Sequence, residues 1–188
     1  MPTRLRDLLT VPNQLTVVRL SLLPFLIIAI RYRRYDWALG LLLAAAASDA
    51  LDGMLARRMG QRTAVGAYLD PIADKLLLSS SFLVLALEGR LPWWLTILVL
   101  GRDVLMLVVS AVILLVVGYV ALPPSVWGKL TTGAQVALVF VVILEAVGRH
   151  PVLGHLAGVG THLVAALTVI SGLHYSLAVT RRLTHSVR

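Results

Sequence analysis

The chain has 188 residues, enough for one domain, but 59% of them are hydrophobic and the mean hydropathy is +0.88, which excludes an ordinary water-soluble fold. The formal charge of +8 comes from Arg and Lys set between or at the edges of apolar runs. That pattern suits anionic headgroups and the positive-inside rule; no basic stripe is interleaved with aromatics, so no nucleic-acid partner is expected. With no Cys, disulfides, thiolate metal sites and a cysteine nucleophile are ruled out.

Residues 2–9, with Arg4, Arg6 and Asp7 against Leu5, Leu8 and Leu9, predict a short amphipathic helix on the membrane surface, within a juxtamembrane segment 1–14. The first apolar run resembles a signal peptide. It ends at Ile30 to Arg34 with no small-residue cleavage site, so it reads as a retained first helix. Six segments approach the roughly 20 apolar residues that span a bilayer, at about 15–30, 37–57, 70–88, 93–118, 130–147 and 152–179. The runs are too long and continuous for the alternation of a membrane barrel. The expectation is an all-α integral membrane protein: six transmembrane helices, a single domain over 1–188, and both termini on one side. Counting basic residues places that side in the cytoplasm. Arg4, Arg6, Arg57, Arg58, Arg62, Lys129, Arg181, Arg182 and Arg188 lie on it, against Arg31, Arg33, Arg34, Arg90 and Arg149 outside.

Four of the nine acidic residues fall within residues 49–74, and the sequence on either side is almost wholly apolar. Helical positions three and four apart share a face, so Asp49 and Asp52 project together from the second predicted helix, and Asp70 and Asp74 from the third. Ionised carboxylates are costly at membrane depth and repel one another, so a cation must lie among them. An all-oxygen set favours Mg²⁺, Mn²⁺ or Ca²⁺ over zinc, and four carboxylates can bridge two ions about 4 Å apart, an arrangement suited to phosphoryl chemistry. Gly53, Ala56 and Gly66 keep the backbone approachable, and Arg57 can pair with phosphate oxygens in bidentate fashion. Taken singly, a Gly or Ala would be an ordinary helix contact and Arg57 an ordinary interfacial anchor. Their joint spacing argues otherwise.

The pattern D-x2-D-G-x2-A-R-x8-G-x3-D-x3-D, met by Asp49, Asp52, Gly53, Ala56, Arg57, Gly66, Asp70 and Asp74, resembles the signature of the CDP-alcohol phosphatidyltransferases. Pro12 to Arg19 is similar to the P-N-x-L-T-x-x-R entry to the first helix in the branches that make phosphatidylglycerophosphate or cardiolipin. The resemblance implies transfer of a phosphatidyl group from CDP-diacylglycerol to an alcohol, with release of CMP. It implies two Mg²⁺ (or Mn²⁺) ions, with Asp49 and Asp70 bridging both, Asp52 on one, and Asp74 on the other and acting as general base. It implies that Gly53, Ala56, Arg57, Thr63 and Gly66 hold the CDP moiety, with Pro12, Asn13 and Thr16 near its diphosphate or lipid side. A homodimer in a bacterial-type inner membrane, with membrane lipids as surroundings and the active site at the cytoplasmic leaflet, is likewise an implication of the family.

Lys75, Arg102 and Asp103 lie in or near apolar runs, where ionisable groups are functional candidates. The bland reading is internal charge balance; the functional one is that Arg102 and Lys129 grip an anionic acceptor. Arg19 either neutralises the acidic site or anchors the first helix. His155, His162 and His174 read as packing or headgroup contacts, and Trp93 and Trp94 as an interfacial belt. The expected acceptor is glycerol 3-phosphate, whose phosphate monoester would use both cations. Phosphatidylglycerol, the acceptor of cardiolipin synthases, is the alternative, since Gly101-Arg102-Asp103 followed by Val-Leu-Met looks closer to that branch. A cation-coupled transporter would also place carboxylates inside helices, but gives no reason for Gly53, Arg57 and Gly66 at their intervals.

Overall fold

In a computed structural model the described residues are mostly helical. The structure describes the backbone of residues 11–59, 64–117, 126–148 and 150–186, and the side chains of 17–48, 73–109, 126–148 and 150–177. Six helices cover the described residues and no strand occurs among them: α1 Val11–Arg31, α2 Tyr35–Met59, α3 Ala64–Leu87, α4 Trp93–Val117, α5 Val126–Gly148 and α6 Pro151–Ser186. The expected surface helix over 2–9 lies outside the described residues.

Local chemistry sets the helix ends. Pro12 lies in the first turn of α1, where its missing N–H would have had no intrahelical partner, so the helix starts at Val11 rather than near residue 15. At its other end Arg33 adopts φ 57°, the left-handed conformation of a Schellman turn. Arg34 N donates to Ala29 O at 2.8 Å and Arg33 N to Ile30 O at 2.9 Å. Gly89, with φ +70°, turns the chain after α3. Pro92 then starts α4, its carbonyl accepting from Leu95 N and Thr96 N. His150 caps α6: its carbonyl accepts from Leu153 N and Gly154 N, its Nδ1 from Val152 N at 3.4 Å, and Pro151 opens the helix.

The helices form two compact units, one of α1–α3 and one built mainly of α4–α6. In the first, α1 packs against both α2 and α3. Leu26, Ala29 and Ile30 of α1 are buried, as are Ala38, Leu42 and Ala45 of α2 and Leu78, Phe82 and Leu85 of α3. The α2 set recurs at intervals of four and three, the stripe of a packed helix, and its alanines allow close approach. In the second unit α4 packs against α6. Leu95, Val99 and Asp103 of α4 are buried one turn apart, and Leu138, Val139, Val142 and Ile143 of α5 and Val164, Thr168 and Ser171 of α6 are buried too. Helices α5 and α6 meet closely at Gly160, where an added Cβ would lie 3.1 Å from Leu138 Cδ1. Thr131 Oγ1 of α5 also donates to Leu167 O of α6 at 3.1 Å.

Large apolar side chains point away from both cores, among them Phe25, Ile28, Trp37, Ile97, Val108, Leu156 and Leu173. Exposure on this scale suits a hydrocarbon surrounding, not water. Two stretches among the described residues meet the length and apolarity of a span, Val126–Gly148 with 23 residues and Pro151–Leu177 with 27. At about 1.5 Å per residue both exceed the roughly 30 Å of a bilayer core.

Candidate active site

Arg19 lies eight residues into α1, on a helix otherwise nearly all apolar. Its side chain is 2% exposed and its Nη1 donates to Asp74 Oδ1 at 2.5 Å; the Asp74 side chain is 49% exposed. The pair links α1 to α3 across 55 positions of sequence. A buried guanidinium demands an anionic partner, and Asp74 is one. The sequence leaves Arg19 open between neutralising the acidic site and anchoring its helix; the ion pair ties α1 to one carboxylate of the motif.

The other motif residues are positioned by their backbones. Asp49, Asp52, Gly53, Ala56 and Arg57 lie in α2, Gly66 and Asp70 in α3, and Pro12, Asn13 and Thr16 in the first turns of α1. Their side chains, and all of Thr63, lie outside the described residues. Helix α2 is unbroken through 49 and 52, and α3 through 70 and 74, its interior Pro71 included. The facial pairing needed for two carboxylates per helix is therefore present at backbone level.

Among the described side chains no three His, Asp or Glu converge as metal ligands; Asp49, Asp52 and Asp70 are outside that set. The donor chemistry nevertheless fits a divalent cation. All four groups are carboxylates, and Asp74, the one whose side chain is described, carries its carboxylate half-exposed on the face of α3 shared by position 70.

The two candidate acceptor cations have different settings. Arg102 is held in the second unit: Nη1 donates to Asp103 Oδ1 at 2.7 Å and Nη2 to Ser171 Oγ at 2.8 Å, with the Arg102 and Asp103 side chains 8% and 10% exposed. The charge-balance reading of this pair is thus realised, and Ser171, which sequence analysis did not single out, extends it to α6. Lys129 is exposed in the first turn of α5. Trp93 and Trp94 are half-exposed at the start of α4, and Trp94 stacks on His162 with ring centroids 6.1 Å apart.

A second charge cluster closes the far end of the first unit. Glu88, just past α3, accepts from Arg31 Nη1 and, at 3.1 Å, from Arg33 Nε. Hydrogen bonds from Arg31 first, then Arg33, hold its carboxyl below the usual carboxylate range. The arginine cluster at 31–34 thus has an acidic partner that hydropathy does not supply. Arg90 pairs with Glu145 at 3.3 Å in the second unit, which gives Glu145 a contact that sequence alone left without a role.

The structure thus sets paired carboxylate positions on two helices, both packed on a third that supplies a buried arginine. The chain belongs to the CDP-alcohol phosphatidyltransferase family, whose sequence profile matches residues 9–173. It is 37% identical over 172 residues to a probable phosphatidylglycerophosphate synthase of Mycobacterium tuberculosis, covering 87% of this chain and 78% of that one. It is 30% identical to a probable cardiolipin synthase (CMP-forming) of Drosophila melanogaster, over 95% of this chain and 62% of the relative. It is 42% identical over 111 residues to a CDP-diacylglycerol–glycerol-3-phosphate 3-phosphatidyltransferase of Pseudomonas fluorescens, over 55% and 54% of the two chains. Family membership sets the transporter alternative aside.

Proposed function

We propose that the protein transfers the phosphatidyl group of CDP-diacylglycerol to glycerol 3-phosphate, forming phosphatidylglycerophosphate and releasing CMP. The observation that carries this reading is the placement of the whole acidic motif on α2 and α3, both packed on α1, with the Asp74 carboxylate fixed by Arg19. The mycobacterial and pseudomonad relatives support glycerol 3-phosphate as acceptor. The Drosophila relative supports the second reading, a cardiolipin synthase that uses phosphatidylglycerol.

In this mechanism Asp74 takes the proton of the acceptor hydroxyl as that oxygen bonds to the phosphorus bearing diacylglycerol. The bond from that phosphorus to the bridging oxygen breaks, and CMP leaves with the electron pair. Arg57 pairs with diphosphate oxygens, and Gly53 and Gly66 admit the nucleotide close to the backbone. Ala56, Thr63, Pro12, Asn13 and Thr16 complete the donor site. Asp49, Asp52, Asp70 and Asp74 would hold two Mg²⁺ or Mn²⁺ ions, which when bound neutralise the diphosphate and stabilise attacking and leaving oxygens. Arg102, held rigid by Asp103 and Ser171, and the exposed Lys129 are the acceptor-side cations. The protein acts as one domain over 1–188, crossing an inner membrane six times with its termini and active site cytoplasmic, and as a homodimer.

The test is chemical. Purified protein given labelled CDP-diacylglycerol, Mg²⁺ and a panel of acceptors should yield phosphatidylglycerophosphate from glycerol 3-phosphate, identified by thin-layer chromatography. Product formed only with phosphatidylglycerol decides for the cardiolipin reading, and no CMP release with any acceptor refutes both.

A further inference from the structure

Arg19 is more than a tie between helices. A guanidinium this deeply buried cannot retreat into water without an open path, and its contact with Oδ1 holds the half-exposed Asp74 carboxylate beside it. Arg19 also lies in register with the proposed donor site. Positions 12, 16 and 19 are spaced four and three apart along α1 and share one face, so the stripe that carries Pro12 and Thr16 carries this cation too. A divalent ion on Asp74 must therefore share the carboxylate with a fixed positive charge instead of displacing it.

We infer that Arg19 is a positioning residue that holds Asp74 through Oδ1 and, as its resident counter-charge, deliberately weakens divalent-cation binding at the acidic site. The inference rests on the proposed metal role of Asp74. Its physical content is a trade. The guanidinium fixes the orientation of a carboxylate that must both meet a cation and receive a proton, and its charge repels that cation through a few ångströms of poorly screening protein. Removing the charge should thus strengthen metal binding while harming turnover. A residue that merely stabilised the fold would weaken both together.

The experiment measures Mn²⁺ binding to the purified full chain in detergent, without substrates, from the electron paramagnetic resonance signal of free Mn²⁺. Arg19→Met and Arg19→Gln remove the charge; the glutamine keeps a hydrogen-bond donor for Asp74. Both are expected to bind Mn²⁺ about tenfold more tightly than wild type, within the roughly 5–150-fold range of coupled sites, and to turn over more slowly at saturating Mn²⁺. Arg19→Lys keeps the charge and should stay within about threefold of wild type in affinity, with turnover partly restored. Equal or weaker Mn²⁺ binding by a monodisperse neutral variant overturns the inference. Should neither neutral variant fold, the wild type still decides: the ¹⁵N resonances of the Arg19 guanidinium must shift as Mg²⁺ is added, and their constancy overturns the inference. Wild-type protein that binds no Mn²⁺ overturns the metal assignment beneath it, which separates the two failures.

Discussion

Replacing Asp103 by Asn separates two roles for Arg102, support and substrate binding. Asp103 is 7% exposed and accepts from Arg102 Nη1 at 2.7 Å, while Ser171 accepts from Nη2 at 2.8 Å. Taking away the carboxylate leaves a buried guanidinium with a neutral neighbour, a loss of about 3–5 kcal/mol for a broken buried pair. For a chain of this size each kcal/mol moves the melting temperature by about 2–4 °C, so Asp103→Asn should melt about 6–20 °C below wild type in detergent. Ser171→Ala, which removes one hydrogen bond to a charged group, should lose about 1.5–3 kcal/mol. The double variant Arg102→Met, Asp103→Leu replaces both charges with apolar volume and should recover most of the stability, because neither ion then needs desolvation. The same variants, assayed for the glycerol 3-phosphate KM, give the functional answer. If Arg102 binds the acceptor, the double variant regains its melting temperature but keeps a raised KM, and if it only clamps α4 to α6, both recover. An Asp103→Asn protein within about 1 kcal/mol of wild type, or a double variant as unstable as the two single losses added, would refute the reasoning.

Other outcomes follow from single sites. Because Arg31 and Arg33 depress the Glu88 carboxyl below its ordinary value of 4.5, the contribution of that carboxylate to stability is complete above about pH 4.5 and fades as pH falls through the lower folded value. Acid titration of wild type against Glu88→Gln should show their melting curves converging below that window, and a constant difference down to pH 2 would exclude the ion cluster as its cause. Gly160→Leu forces a side chain into the 3.1 Å contact with Leu138 and should cost about 1–3 kcal/mol, while Gly160→Ala, which asks only a flexible leucine tip to shift, stays near neutral. Asp74→Asn keeps an oxygen for Arg19 but no proton acceptor, so turnover should fall about 10²–10⁴-fold with CDP-diacylglycerol binding retained; near-normal rates across pH would remove Asp74 from the role of base.

The helices were legible from the sequence because the same residues that suit hydrocarbon also form long uninterrupted helices, and the disagreements follow from what hydropathy measures. It reports where a chain suits lipid, not where its backbone stops being helical. Hence α1 starts at Val11, α5 at Val126, and α6 runs to Ser186 past Arg181 and Arg182. Each of these extensions is polar, turn-bound or charged, and helical nonetheless. Spacing along α2 and α3 likewise gave the motif its faces, because i, i+3 and i+4 relations are internal to one helix.

Partners between helices were not legible in the same way. Nothing in the sequence pairs Arg19 with Asp74, Arg102 with Ser171, or Glu88 with the cluster at 31–34, since such choices depend on the rotation of each helix about its axis. What the sequence did offer was an obligation: a charge in an apolar run must find a partner, because hydrocarbon supplies none. Arg19, Arg102, Asp103 and Glu88 each meet that obligation in a neighbour. The pairs are not equivalent in consequence. Arg102 answers to Asp103, its own neighbour in sequence, so the charges cancel at any helix rotation and only Ser171 depends on how α4 meets α6. Arg19 answers to a carboxylate 55 residues away to which we assign the proton transfer, so under that assignment the packing of α1 on α3 and the chemistry of Asp74 are bound to the same contact and cannot be altered one without the other.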